Sequence, residues 1–301
     1  MKTFKGKTAV ITGAASGFGL EAARIAAREG MNLVLVDVQT DALELAAGEL
    51  QQAGAQVLAR KVDVSSAEAM DALGAAVLER FGAPHFVFNN AGVGTGGLIW
   101  EQSVKDWQWV LGVNLWGVIH GVRVFTPMML AQARQDADYE GHIVNTSSMA
   151  GLLNPPNMGP YNVSKHAVVS LSETLHHDLS LVTDRLHCSV LCPYFVPTGI
   201  HLSHRNRPGD LANDAPITDS QKVAQAMTQK AVTSGKVSAA DVAELVFKGM
   251  RERQFYLYSH PQALGMVQTR MEDILQARNP TDPFAATPQI GEMLRGALRK
   301  G

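Results

Sequence analysis

The sequence predicts an α/β fold, a single doubly wound parallel sheet with helices on both faces. Three observations lead there. Short apolar runs alternate with helical patterns from the start of the chain, the rhythm of parallel strands joined by crossover helices. A glycine-rich turn, Thr12 to Gly19, joins the first run to the first helical pattern. No repeat, low-complexity segment or linker divides the 301 residues, so one domain spanning 1–301 is expected, long enough to bury a substantial core.

Taken in order, Thr8 to Thr12 reads as the first strand. Gly17 to Gly30 is the first helix, with Leu20, Ala23, Ile25 and Ala27 as apolar positions. Asn32 to Val36 is a strand, and Asp41 to Ala53 a helix through Leu43, Leu45 and Leu50. Val57 to Val62 is the third strand, ended by Asp63-Val64, and Ser65 is expected to cap the next helix, which runs to Phe81. Phe86 to Asn89 forms a fourth strand, broken by Asn90-Ala91-Gly92. A long helical pattern follows from Val104 to Ala133, apolar on nearly every side in its middle, which predicts burial by the sheet or by a second subunit. Ile143-Val144 is a fifth strand ending at Thr146-Ser147-Ser148, and after a Gly/Pro/Asn-rich loop a helix begins near Tyr161. Leu186 to Leu191 is a sixth strand.

Beyond Pro193 the regular pattern fades. The stretch 194–235 carries prolines at 197, 208 and 216 and reads either as a substrate lid or as a disordered surface loop. A helix from Ser238 to Arg253 and a strand from Phe255 to Tyr258 follow. The tail, 261–301, mixes a weak helical pattern with an NPTDP turn.

Composition narrows the function. The formal net charge is -2, with no basic patch for nucleic acid and no acidic tail. Met1 to Phe4 runs almost directly into a strand, leaving no room for a signal peptide, and no apolar run nears the ~20 residues that span a bilayer. Cys188 and Cys192 share one apolar run and do not form a C-x-x-C pair, so reduced, buried thiols and a cytoplasmic location are expected. Neither His176-His177-Asp178 nor His201-x-x-His204 completes a ligand set, and no metal is expected.

The turn Thr12-Gly13-Ala14-Ala15-Ser16-Gly17-Phe18-Gly19 brings backbone N–H groups to a helix N-terminus, where the dipole favours a pyrophosphate. It matches neither G-x-G-x-x-G literally nor a Walker A loop, since no lysine follows the last glycine. Asp37 ends the second strand eighteen positions after Gly19, where a carboxylate accepts from the adenosine ribose hydroxyls and repels a 2′-phosphate. Val38-Gln39-Thr40 offers no cation to offset it, so NAD is expected over NADP. Asp63 suits either a helix cap or an adenine pocket.

Tyr161 and Lys165, four residues apart on a helix, stack on one face. A phenol with an ordinary pKa of ~10 keeps its proton at neutral pH and so is not available as a base, and an ammonium one turn away favours the phenolate. Ser148, at a strand end, is placed to donate to a carbonyl or alkoxide oxygen. Together the three groups suit proton exchange with an alcohol while a hydride moves elsewhere. Ser148 lacks the G-x-S-x-G elbow of a nucleophilic serine.

These residues resemble the short-chain dehydrogenase/reductase family over roughly the first 200 positions. The matching motifs are TGAASGFG, Asp37, Asp63-Val64, NNAG at 89–92, Asn114, Ser148 with Tyr161-x-x-x-Lys165, and Pro193 through Thr198. Ser148 stands thirteen residues before Tyr161, as the family's serine does, which selects it over Ser147. The resemblance implies a Rossmann-like NAD-binding oxidoreductase. Tyr161 would be the acid/base and Ser148 would hold the substrate oxygen. Lys165 would bond the nicotinamide ribose and lower the Tyr161 pKa. Asn114 would interrupt its helix and hold a water leading to Lys165. Asn90, Ala91 and Gly92 would line the adenosine side, and Val196 and Thr198 would grip the carboxamide. Three departures stand out: Tyr194 where the family has glycine, His85 where an aspartate is common, and FYLYSHPQ with a long tail in place of a glycine-rich ending.

Substrate is expected between the 94–97 loop, the 151–160 loop and the lid. Ser148, Leu153, Met158 and Tyr194 are its candidate contacts, and the apolar lining suits a bulky aromatic, alicyclic or steroid-like secondary alcohol or ketone. The C-terminal part also resembles bacterial relatives acting on aryl-alkyl carbinols. A homodimer or homotetramer is expected, with the helices around Asn114 and Tyr161 the safer interface. The rivals are an NADP-dependent carbonyl reductase and a catalytically silent dinucleotide sensor.

Overall fold

The computed structural model describes residues 1–299, so the last two residues of the expected domain and tail lie outside the described residues. Seven strands form one parallel sheet: β1 (Thr8–Thr12), β2 (Asn32–Asp37), β3 (Val57–Lys61), β4 (Phe86–Asn89), β5 (Gly141–Thr146), β6 (Leu186–Cys192) and β7 (Tyr256–Tyr258). Their order is β3-β2-β1-β4-β5-β6-β7. The chain therefore reverses direction across the sheet between β1 and β4. At such a switch point the connections leave on opposite faces, and a crevice opens beyond the strands' carboxyl ends.

Strand periodicity sorts the core onto two faces. Ala9, Ile11, Leu33 and Leu35 point to one side, where they meet α1 (Gly17–Arg28), α2 (Thr40–Gln52) and α8 (Ala239–Glu252). Val10, Val34 and Val36 point to the other, against α3 (Ala67–Phe81), α5 (Gly117–Gln135) and α6 (Gly159–Val182). Both faces being covered, the inner strands have no wet side, and β1 is buried throughout.

The expected long helix is divided. After α4 (Val104–Leu111) comes a π-helical turn, Gly112–Trp116, and then α5. A π turn places one extra residue in the helix, which swings Asn114 inward to full burial. The expected cap at Ser65 is a correction. Ser65 is taken up by Asp63 Oδ1, which accepts from its N–H at 2.9 Å and its Oγ at 2.7 Å. Ser66 caps α3 instead, accepting from Ala69 N at 3.1 Å.

Past β6 the sequence reading missed structure. Residues 194–235 hold short 3-10 turns at Gly199–Asn206 and Gly209–Leu211, then α7 (Asp219–Thr233), a four-turn helix with a Thr218/Gln221 capping box. Its buried positions are Ser220, Ala224 and Val232, too sparse and too small to print an apolar stripe. The tail forms α9 (Leu264–Leu275) and α10 (Pro288–Leu298), the latter packing on α7.

Candidate active site

One cavity of about 1410 Å³, its open mouth included, runs along the carboxyl edge of the sheet from Asp37 to Tyr161. Gly13, Ser16, Gly17 and Phe18 line one part of it. Asp63, Val64, Asn90, Ala91 and Gly92 continue the wall, Ser148, Tyr161 and Lys165 stand at the other end, and Pro193, Tyr194, Val196 and Thr198 close it over.

Four expected residues do not line it. Gly19 lies beneath, where a side chain would collide with the Gly13 carbonyl, so its smallness serves helix-to-strand packing. Asn114 is buried behind the wall. Leu153 packs into an apolar cluster with Met149, Leu152 and Val169, and Met158 pairs with Gly97 in an isolated parallel bridge. The apolar lining comes instead from Val93, Trp109, Val113, Ile200 and Leu211.

At the Asp37 end, geometry is set by backbone. Gly13 has φ +65°, and a Cβ there would stand 3.0 Å from Ala91 Cα, so the turn needs glycine to bring the two loops together. Ser16, the N-cap of α1, makes no side-chain cap bond, and the first turn carries no acid. The helix thus presents uncapped N–H groups to the cavity, the arrangement that receives anions. Asp37 accepts from Ala15 N through Oδ2 and from Gln39 N through Oδ1, each at 3.0 Å. Each oxygen keeps a lone pair for a further donor. Thr12 is a positioning residue that motif reading did not single out. Its Oγ1 accepts from Asn90 N at 2.9 Å and Ala91 N at 3.0 Å, tying the NNAG loop to β1.

At the other end, Ser148 accepts from Ala150 N at 3.1 Å and donates to Pro193 O at 3.3 Å. Ser147 faces inward and donates to Lys165 O at 2.8 Å, which leaves Ser148 for the cavity. Burial pushes the Tyr161 phenol above its ordinary value, and a hydrogen bond with Ser148 partly reverses this. Burial brings Lys165 down to about 8, opposed by nearby Cys192. Its Nζ donates to Thr146 O at 2.9 Å and lies 5.6 Å from the centre of the Tyr161 ring. The expectation that Lys165 lowers the phenol's pKa is thus not met by direct contact here, because the ammonium faces a carbonyl and the ring. Asn114 Oδ1 accepts from Val93 N at 2.8 Å, and its Nδ2 donates to Val93 O at 2.9 Å and Ser164 Oγ at 3.1 Å. A Cβ on Gly92 would lie 3.5 Å from Asn114 Oδ1 and 3.6 Å from Lys165 Nζ, so glycine keeps these two groups facing one gap.

The departures from the family pattern also find places. His85 is neutral, its pKa brought to about 4 chiefly by burial, and its Nδ1 accepts from Thr8 N at 3.3 Å, as a carboxylate would. The Tyr194 ring meets that of Phe195 at 4.4 Å, tilted by 41°, and the Tyr194 N–H donates to Ser259 Oγ at 3.0 Å. No group of three metal-ligating side chains occurs among the described residues. Among them, too, no helix is long and apolar enough to cross a membrane.

A parallel sheet with an anion-receiving turn at its switch point, and a Ser-Tyr-Lys group at the far end of the same crevice, defines a nucleotide-dependent oxidoreductase. The chain belongs to the short-chain dehydrogenase family, whose family model matches residues 7–208. A solved short chain dehydrogenase/reductase from Burkholderia phymatum, in complex with NAD, is 54% identical, with 94% of this chain and 99% of that one covered and a TM-score of 0.91. A CLA biosynthesis dehydrogenase/reductase of Lactiplantibacillus plantarum is 33% identical over 91% of this chain and 95% of its own length. A C alpha-dehydrogenase of Sphingobium sp. is 29% identical over 98% and 94%. The protein is an alcohol/ketone oxidoreductase of the NAD(P)-using kind.

Proposed function

We propose that the protein is an NAD-dependent dehydrogenase interconverting a bulky, apolar secondary alcohol and its ketone. The observation that carries this reading is the continuity of one cavity from the Asp37 carboxylate to Ser148 and Tyr161. The uncapped start of α1 and the doubly anchored Asp37 fit a dinucleotide. In this reading Gly13, Ser16, Gly17 and Phe18 receive the pyrophosphate, Asp37 the adenosine ribose, and Asp63 and Val64 the adenine. Asn90, Ala91 and Gly92 line the same side, while Pro193, Val196 and Thr198 hold the nicotinamide end. When bound, the dinucleotide supplies the hydride acceptor or donor.

The chain's own groups handle the proton. Ser148 Oγ turns its one O–H from Pro193 O to the substrate oxygen, and Tyr161 Oη takes the carbinol proton as the carbonyl forms, returning it in the reverse direction. Lys165, brought down to about 8 by burial, stands with its Nζ 5.6 Å from the centre of the Tyr161 ring. Asn114 holds Val93 and faces Lys165 across Gly92, a place for a proton path to solvent. Residues 194–235 act as the lid, and Tyr194, Trp109 and Leu211 give the alcohol an apolar wall. Relatives named for CLA biosynthesis and for 1-deoxy-11-beta-hydroxypentalenate support a bulky apolar substrate.

The sign of the pH dependence follows from the phenol. Burial favours its protonated form, so alcohol oxidation rises with pH and ketone reduction falls. A screen of secondary alcohols followed by NADH absorbance from pH 6 to about pH 10 tests this, and oxidation that is flat across that range would remove Tyr161 as the base. One observation favours NADP: Lys61 on β3 is paired in register with Asp37. Turnover compared with both dinucleotides separates the two readings. We also propose a dimer through α4, α5 and α6, where Trp116 and Val163 are exposed; sedimentation measures it.

A further inference from the structure

Two cations line the cavity, Lys165 and Arg205. Lys165 is committed to Thr146 O at the catalytic end. Arg205 is exposed and has neither an ion pair nor a hydrogen bond among the described residues. The residues two positions to either side of it are anchored. Ser203, two residues earlier, is buried, and its Oγ accepts from Gly94 N at 3.0 Å. Arg207, two residues later, is locked by Asp106 Oδ1 at 2.7 Å, by Leu211 O at 2.7 Å and by stacking over Trp109 at 5.2 Å. Arg205 is therefore held between two anchored neighbours.

Its guanidinium folds back over Gly199: a Cβ there would lie 3.1 Å from Arg205 Nη2. Thr198, next in the chain, lies over the glycine turn, since a Cβ on Gly17 would meet Thr198 Cγ2 at 3.5 Å. The free guanidinium thus lines the same cavity as Thr198 and Gly17, into which the uncapped N-terminus of α1 opens. A helix end contributes only about half a charge, whereas a pyrophosphate brings two formal negative charges. A guanidinium fork supplies the balance, with parallel N–H donors that match phosphate oxygens.

We propose that Arg205 is a pyrophosphate-binding residue, a cation delivered by the lid to the phosphates once they rest on the turn Gly13–Gly17. This rests on the dinucleotide reading above and adds a coupling to it. The phosphates hold the lid segment down, and the Asp106–Arg207 and Gly94–Ser203 anchors set where its cation arrives. Closure over the nicotinamide end is then linked to occupancy of the phosphate site.

Calorimetric binding of adenosine, ADP and ADP-ribose to the wild type and to R205Q, at low and high salt, tests the proposal. The expected result is roughly tenfold weaker binding of ADP and ADP-ribose to R205Q, the weight of one charge-assisted hydrogen bond in partial contact with water. Adenosine, which has no phosphate, binds both proteins alike, and the salt dependence of ADP binding becomes shallower in the variant. R205K, keeping the charge without the fork, falls between the two. Equal affinity of R205Q and wild type for ADP-ribose would overturn the proposal while leaving the dinucleotide reading intact. An equal loss for adenosine would overturn it as well, by showing a structural defect. Failure of the wild type to bind ADP-ribose at all would sink both.

Discussion

The two ends of the cavity are built by different means. At the Asp37 end, bonds within a turn share the work with bonds between adjoining strands: Asp37 binds the N–H two residues on and Asp63 does the same with Ser65, while Asp37 also holds Ala15 and Thr12 holds Asn90. At the lid end, the bonds span long stretches of chain. Arg207 reaches Asp106 across 101 residues, Ser103 reaches Asn213 across 110, and Ser220 reaches Glu101 across 119. Local bonds form with the turn that carries them, at little extra cost in chain entropy. The long-range ones depend on the sheet having already brought their partners together. The Asp37 end is thus a property of the scaffold, and the far end a property of how residues 194–235 dock on it.

The sharpest way to break this comparison is at Tyr161, where the two ends meet. Tyr161→Phe removes the acid/base while its ring still fills its site, so kcat should fall by roughly 10³-fold. NAD(H) binding, measured by fluorescence titration, should hardly change; a variant that retains turnover would mean the proton leaves by another route. Next in size is Asp37→Ala. Losing a charged acceptor costs about 2 kcal/mol, or roughly thirtyfold in NAD affinity. The preference should move toward NADP with kcat on the alcohol held, and an unchanged NAD/NADP ratio would place the ribose elsewhere.

The lid end calls for the opposite pattern. Arg207→Ala leaves the Asp106 carboxylate buried without its partner and frees the segment 199–211. The alcohol KM should rise roughly tenfold, about 1.4 kcal/mol, and limited proteolysis should cut sooner within 199–235. If KM and the cleavage pattern both stay as in the wild type, the latch has no part in closing the site. The smallest effect concerns the scaffold. His85 and His187 are both lowered to about 4, burial being the main cause. Their unfolded forms bind protons first, so stability present above pH 6.5 should be lost as pH falls toward 4. A His85→Asn variant keeps an acceptor for Thr8 N and should show a flatter acid limb in its melting temperature; an unaltered limb would assign acid lability to other groups.

How much of this was legible varies along the chain. The strands β1 to β6 and the placement of Asp37, Ser148, Tyr161 and Lys165 could be read because each depends on a short apolar run or on one helical turn. Ser65 and Ser66 suit the cap equally by residue type, and only the geometry of Asp63, which takes Ser65, leaves the cap to Ser66. The helix α7 went unread although Thr218-x-x-Gln221 is a capping signature, because its small buried positions leave no apolar period. Leu153 and Met158 were expected at the substrate because their loop is apolar, but apolarity does not say which side of a loop faces the core.

By itself, then, the sequence determined the fold class, the glycine-rich turn after β1 and the grouping of Ser148 with Tyr161 and Lys165, since the spacing of each is enforced by local backbone geometry. Only the tertiary structure decided that Lys165 faces the Thr146 carbonyl, that Asn114 is turned inward by a π turn, and that Arg205 lines the same cavity as the glycine-rich turn. Those outcomes depend on which distant surfaces meet in three dimensions, and nothing within a few residues of any of them carries that information.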